Sequence, residues 1–335
     1  MTRKPIMRTV VVVACVAAIC MSAGCTSGSA AATASTPTAY VATGAGVANP
    51  GTTVAVVNTS TSTAQTPITS GSLPAALAVT PDGRDLLVAN RGDDTLVQID
   101  VASGKVVNRV TVGLEPDAVA VAPGGRLALV ANFGDNTVTP VSLPALHVGR
   151  PIAVGREPVA VAVSPDSRLA LVSNYEDGSV SPIALSNLVV GTPVPAGAEP
   201  VALFITHDGS TGLVADFQTS VVTPINLSTM APGPPIPVGG NPTGIAGLPS
   251  SPLAYVSGGG SVTPINLRTH QPGAPIPIGT TAEALAIDPK GTTAWVAGGD
   301  GSLVHVSLVS RVVIGRVDVG GHPAAVVISA ARGSG

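Results

Sequence analysis

Residues 116–143 read PDAVAVAPGGRLALVANFGDNTVTPVSL. Three short apolar runs, at 118–122, 127–132 and 137–141, are separated by Pro123-Gly124-Gly125 and by Gly134-Asp135-Asn136. Runs of this length, rich in Val and Ala and bounded by Gly, Asp and Asn, predict strands joined by tight reversals. The stretch is one copy of a repeat. PAALAVTPDGRDLLVANRGDDTLVQID begins at Pro74 and PVAVAVSPDSRLALVSNYEDGSVSPIAL begins at Pro158. Further copies begin at Pro200, Pro242 and Ala282, and the first strand alone returns at Pro323. Successive starts lie 42 residues apart four times, then 40 and 41.

Each unit has room for four strands, A to D, the last ending in a Val-Gly pair such as Val154-Gly155. Four short strands in about 40 residues is the arithmetic of a propeller blade, and leucine-rich and helical repeats differ in period or strand content. The two ends are complementary. Residues 39–73 supply strands B, C and D without an A, whereas 323–329 supply only an A. The reading is therefore all-β: a seven-bladed propeller over 39–329, with six full repeats starting at 74, 116, 158, 200, 242 and 282. A composite blade of 39–73 plus 323–329 closes the ring, and 330–335 form a tail. Pro140, Pro182, Pro224 and Pro264 fall in strand C, where a missing donor predicts a bulge or early loss of C–D pairing. Prolines in strand D are expected to block edge-to-edge association.

The repeat resembles the YVTN-repeat (YncE-like) propeller family. That resemblance rests on a strand B ending Leu-Val-Ala-Asn (residues 87–90 and 129–132) or Leu-Val-Ser-Asn (171–174), followed by Gly92-Asp93-Asp94-Thr95 or Gly134-Asp135-Asn136-Thr137. It covers 39–329 and implies the fold more sharply than any activity.

The N-terminus reads as a targeting segment. Arg3, Lys4 and Arg8 precede an apolar stretch at 9–20, and Ser22-Ala23-Gly24-Cys25 resembles a bacterial lipobox. The expectation is a signal peptide over 1–24, lipidation of Cys25 and a tether over 25–38. The chain would then sit on the outer side of the cytoplasmic membrane or at the cell surface, with secretion as the alternative. Cys15 and Cys20 would leave with the signal, so no disulfide is expected. Aromatic residues are only 2%, so Val and Ala must fill the core. The sequence carries 16 basic and 19 acidic residues; losing Arg3, Lys4 and Arg8 leaves 13 against 19 and a net charge of −6. That balance argues against a nucleic-acid partner.

In such a ring the D–A connections and B–C hairpins share one face, and the A–B and C–D turns share the other. Sorted this way, the first face is acidic, with Arg91 and Arg156 as its only bases. Asp93, Asp94, Asp135, Glu176 and Asp177 form a candidate binding face. The residue before each unit's Pro enters the innermost strand. Glu115, Glu157, Glu199, Asn241 and His322 there form a candidate ligand or cation site at the channel mouth, with Ca²⁺ or another divalent ion as the cation considered. Shortened hairpins at 257–260 and 297–301 would lower one side of that rim.

Catalytic signatures are missing. The five histidines form no i, i+4 pair, and no G-x-S-x-G, P-loop or dinucleotide fingerprint occurs. Arg91-Gly92-Asp93 spells an adhesion tripeptide but occupies the repeat's hairpin slot. His305 falls in the strand C proline column and Trp295 in a core column of strand B. The leading expectation is a monomeric, lipid-anchored, non-enzymatic binding or scaffold module whose partner is an envelope protein or a small ligand. One alternative is a hydrolase, since seven-bladed lactonases are similar in fold and use polar residues at the channel mouth. The other is an envelope structural or sensor protein.

Overall fold

The computed structural model describes residues 37–44, 51–249 and 251–329. The signal segment, Cys25, most of the tether and the tail at 330–335 lie outside the described residues. Among those described, every regular element is a strand and no helix is long and apolar enough to cross a membrane.

The strands form seven antiparallel sheets. Six follow the repeats directly, and we number these blades 1 to 6 from Pro74. In blade 2, strand A (Pro116–Val121) pairs with B (Leu127–Asn132), and B pairs with C (Thr137–Ser142). Burial falls outward along each blade. In blade 3, strand A (Pro158–Val163) is buried throughout, whereas the outer piece Val189–Val190 is largely exposed. Inner strands are covered on both faces by neighbouring blades, so they read as continuous Val/Ala runs without alternation. Small side chains such as Ala118, Ala120 and Ala131 let the sheets approach closely.

Blade 7 is the composite. Strand A (Pro323–Ser329) pairs with strand B (Thr38–Thr43) from Thr38↔Ser329 to Thr43↔Pro323. Strands C (Thr53–Asn58) and D (Thr63–Thr69) follow. One buried cluster spans the junction, joining Val41 and Val57 to Val326, to Leu77 of blade 1 and to Trp295 of blade 6. The C-terminal strand therefore closes the ring, as the incomplete first unit implied.

The strand C prolines act on one side only. Pro140 sits opposite Leu129 in an unbroken B–C ladder. On the other side, strand D splits into His147–Val148 and Ile152–Ala153, each paired with C. Between the pieces, Gly149 N–H donates to the Pro140 carbonyl at 2.8 Å. A Cβ on Gly149 would lie 3.0 Å from Pro140 Cγ, so any larger residue would crowd the proline ring. The lost donor points outward and only the C–D ladder is interrupted. Gly191, Gly233 and Gly273 repeat the arrangement against Pro182, Pro224 and Pro264. Blades 6, 7 and 1 lack that proline, and their outer strands, Val312–Asp318, Thr63–Thr69 and Lys105–Thr111, run unbroken. In blade 6 the proline's place is taken by His305. Its ring stacks on Trp295 across the strand pair, with centroids 3.9 Å apart and planes at 11°.

Ring closure yields a direct expectation. A chain ending at residue 322 leaves Thr38–Thr43 and the blade 6 and blade 1 faces uncovered. It should lose cooperative unfolding altogether, with exposed apolar surface detectable by dye binding. A sharp thermal transition retained by the truncated chain would contradict closure by strand 323–329.

Candidate functional site

The upper face, where D–A connections meet B–C hairpins, is built around the Asn that ends strand B. Asn132 is fully buried. Its Nδ2 donates to Thr137 Oγ1 at 2.9 Å and to Thr139 Oγ1 at 2.8 Å. Its Oδ1 accepts the Gly113 N–H at 3.2 Å. One side chain thus ties the incoming loop to two strands. Asn90 and Asn174 bridge to strand C in the same way through Thr95, Ser179 and Ser181. Asp216 takes the place in blade 4, where it accepts the Glu199 N–H at 3.0 Å and the Ala198 N–H. At Asn132 the buried polar side chain is tolerated because its bonds are made, whereas the Oδ1 of Asn174 is buried without a partner.

The hairpin acids do similar work. Asp93 accepts the Ser72 N–H, Asp135 the Leu114 N–H at 2.7 Å and Asp177 the Arg156 N–H at 2.7 Å, each fastening a hairpin to its own blade's incoming loop. The next hairpin residue reaches the following blade. Asp94 accepts the Glu115 N–H at 2.8 Å, Asn136 the Glu157 N–H at 2.8 Å and Ser220 the Asn241 N–H at 3.1 Å. The face proposed for binding is therefore also a chain of interblade clasps.

The residues before the prolines sit in this clasp, one per blade. Leu73, Glu115, Glu157 and Asn241 take φ values of 50°, 49°, 54° and 37°. This left-handed turn feeds the chain into strand A. Glu115, Asn241 and His322 are exposed, while Glu157 and Glu199 are half-buried. Glu115 is bridged to Arg91 at 2.8 Å. Burial, and then the charge of Glu176, pushes the Glu157 carboxyl up. Among the described residues, no three His, Cys, Asp or Glu side chains gather closely enough to hold a metal ion.

The charge asymmetry is smaller than the sequence suggested. Arg109 and Arg316, on the upper halves of outer strands, reach onto this face. Arg109 meets Asp93 at 3.1 Å and donates to the Ser70 carbonyl; Arg316 approaches Asp300 at 3.7 Å and donates to the Ile278 carbonyl. Long side chains let an outer strand serve a face its turns do not touch. Arg156 pairs with Glu176 at 3.0 Å and with Asp177 at 2.6 Å. The Arg156 N–H bond, and then its guanidinium, hold the Asp177 carboxyl below its usual range. The Arg-Gly-Asp tripeptide is spent internally, since Arg91 turns to Glu115 and Asp117 and lies 4.6 Å over the Phe133 ring.

Asp117 and Glu283 count among the acids of this face in the sequence, but Asp117 is buried and Glu283 half-buried. Strand A slips register just after its first residue in every full repeat, as between Pro116 and Ala118, that first residue being proline in all but blade 6, which starts with Ala282. The bulged residues are Ala75, Asp117, Val159, Val201, Thr243 and Glu283, at the upper end of the innermost strands. Asp117 is 1% exposed, and Arg91 binds its Oδ1 at 3.1 Å. Its Oδ2 is buried with no hydrogen-bond partner. Burial pushes this carboxyl up to about 6, although the Arg91 charge opposes the shift. Glu283 is pushed up to about 7 by burial alone. A Cβ on Gly299 would sit 3.0 Å from Glu283 Oε1, so the shortened hairpin of blade 6 makes the room. An acid in a column otherwise filled by Ala, Val and Thr was the available signal.

Two measurements check this account. Asn132→Ala orphans the Gly113 N–H and should cost about 1–3 kcal/mol in urea unfolding; a neutral result would remove the hub role. Glu283 has a folded pKa above its unfolded one, so burial of its charge destabilises fully above about 7 and not at all below the ordinary carboxylate value. Glu283→Gln should therefore raise the melting temperature at pH 8 and leave it unchanged at pH 4. Equal effects at both pH values would contradict that burial.

A model of the family described as YNCE-like beta-propeller matches residues 4–140. No curated protein matches the sequence. Among solved structures, the chain is similar to a functionally unknown protein from Desulfotomaculum acetoxidans, at 17% identity and TM-score 0.78, over 89% of this chain and 100% of that one. It is similar to Kuenenia stuttgartiensis hydrazine synthase at 19% identity and TM-score 0.69, over 75% of this chain and 88% of that one. It is also similar to dihydro-heme d1 dehydrogenase NirN in complex with DHE, at 18% identity and TM-score 0.63, over 87% and 74%. Identities this low speak to fold alone. The match at 4–140 and the seven-bladed ring together support a YncE-like propeller family for this chain.

Proposed function

We propose that this chain is an exported, lipid-anchored propeller acting as a non-enzymatic binding or scaffold module at the cell envelope. The observation that carries the reading is the clasp of the upper loops. Asp94, Asn136 and Ser220 bind each hairpin to the next blade, and Asp93, Asp135 and Asp177 bind it to its own. Loops fixed in this way present a preformed surface that a partner need not order on binding. The outward acids Glu115, Glu176 and Asp135 suit an envelope protein or small ligand carrying positive charge. Export is supported by Arg3, Lys4 and Arg8 ahead of the apolar stretch, and anchoring by Ser22-Ala23-Gly24-Cys25. Two or more acyl chains on Cys25 would hold the chain durably, where one would not.

A hydrolytic reading has one observation in its favour. Glu283 is a half-buried carboxyl pushed up to about 7 at the upper end of the axis, a protonation state suited to acid–base work. Turnover of a lactone panel that Glu283→Gln abolishes would establish it.

Cys25→Ser should abolish fatty-acid labelling and move the chain from the membrane fraction to the medium. Unchanged labelling and fractionation would refute the anchor. Glu115→Lys with Glu176→Lys should weaken cross-linking to envelope proteins several-fold without shifting the melting temperature. Undiminished cross-linking would remove the upper face from the binding reading.

A further inference from the structure

Both ends of the ring leave by the lower face. Thr38, the first residue of strand B in blade 7, lies opposite Ser329, the last residue of strand A. That end of the blade is where the A–B turns lie. Residues 26–36 separate Cys25 from Pro37 and span roughly 40 Å at full extension. An anchor at Cys25 thus holds the lower face near the bilayer.

The same face carries most of the aliphatic surface that folding leaves uncovered. Strand D rises from the lower face, so its first residues lie there. Val107 of blade 1 is 56% exposed, Val189 of blade 3 is 56%, and Val148 of blade 2 is also exposed. Blade 6 adds Val309 at 76%, in its C–D turn, with Val312 and Ile314 just beyond. Of the exposed large apolar side chains among the described residues, Leu114 alone belongs to the upper face. The aliphatics occupy blades 6, 1, 2 and 3, on both sides of blade 7, where the chain enters the ring. Blades 4 and 5 start strand D with Ala231–Pro232 and Gln271–Pro272 instead.

Cations accompany them. Arg84, Lys105, Arg126, Arg168, Lys290 and Arg311 are exposed on lower turns. The aspartates of the same turns fold back onto their own backbone. Asp82 accepts the Arg84 N–H, Asp166 the Arg168 N–H, Asp208 the Ser210 N–H and Asp288 the Thr292 N–H. The arginines are more open to solvent than the aspartates they approach. The Arg168 side chain is 87% exposed against 58% for Asp166, 3.9 Å away, and Arg84 75% against 56% for Asp82, 3.7 Å away. Guanidinium, ammonium and aliphatic carbon are therefore prominent on the exposed surface of this face. That combination suits the headgroup boundary of an anionic bilayer, where apolar groups enter and cations meet phosphate.

We propose that the lower face is a bilayer-docking surface for anionic lipid, with the rim of blades 6, 7, 1, 2 and 3 tilted onto the membrane and the acidic upper face directed away from it. The inference rests on the exported reading for the bilayer it meets, and not on acylation of Cys25.

The test places a spin label at Ser310→Cys on the lower face or at Gln218→Cys on the upper, in membrane-bound full-length protein on phosphatidylglycerol-rich vesicles. A headgroup-restricted relaxation agent should broaden the label at 310 about tenfold more than the label at 218; equal broadening overturns the proposal. The combined variant Val309→Ser, Val312→Ser and Ile314→Ser should bind these vesicles about tenfold more weakly than the parent, with an unchanged melting temperature. Leu114→Ser should bind as the parent does, and raised salt should weaken the parent's binding. Indistinguishable binding by the triple variant and the parent also overturns the proposal. Fatty-acid labelling of Cys25 is scored separately. Loss of labelling with the asymmetry intact removes the anchor and keeps the docking face, whereas labelling without asymmetry does the reverse.

Discussion

Closure of the ring by strand Pro323–Ser329 against Thr38–Thr43 is the contact on which everything else depends. Each blade is a four-stranded sheet with two apolar faces and cannot cover either alone. Six repeats cover one another in series, but a series has two bare ends. The composite blade fills that gap, and its core merges with Trp295 on one side and Leu77 on the other. Because strand A comes from one end of the sequence and B to D from the other, folding couples residues nearly 300 positions apart at about that separation. The same closure puts both termini on the lower face.

Polar side chains on the upper face are mostly committed to holding loops. The Asn that marks strand B is a buried junction, and the hairpin acids are clasps to neighbouring backbone. This changes how an acidic surface is read. Asp93 and Asp177 carry charge, but each is engaged by an N–H group and by Arg109 or Arg156, whereas Asp135 accepts the Leu114 N–H and is exposed. Glu115 and Glu176 face outward, each already sharing an arginine. The outer edges show a parallel division. Glycine–proline pairs interrupt the outer strands of blades 2 to 5 and blunt them against association. Blades 6 and 1 keep continuous outer strands, and their exposed valines and isoleucine gather toward the lower rim.

Much of the architecture was legible from the repeat. Strand count, blade boundaries and the missing strand A followed from spacing and turn residues. The Asn of Leu-Val-Ala-Asn stood out as a mark, but its bonds to Thr137, Thr139 and the Gly113 N–H did not, because those partners converge only after three segments pack together. The glutamates before Pro116, Pro158 and Pro200 drew attention as an ordered series. They lie on separate blades, and the left-handed backbone of Glu115 and Glu157 follows from the turn into strand A. Asp117 and Glu283 read as surface acids of the upper face, because their burial arises from the bulge after the first residue of strand A, and a bulge leaves no trace in hydrophobic spacing. Arg109 and Arg316 were assigned to no face, since their reach is a matter of side-chain length across a curved edge.

The sequence by itself determined the blade: strand lengths, turn chemistry and the split of one blade between the two ends are local properties that recur every forty or so residues. Only the tertiary structure decided which polar groups are spent on the fold and which face outward. It alone set the protonation of Asp117 and Glu283, through burial, and the gathering of exposed aliphatics and cations on the face where the chain begins and ends. The reason is that burial, pairing and facing are relations between blades, and a repeat read one copy at a time contains no information about its neighbour.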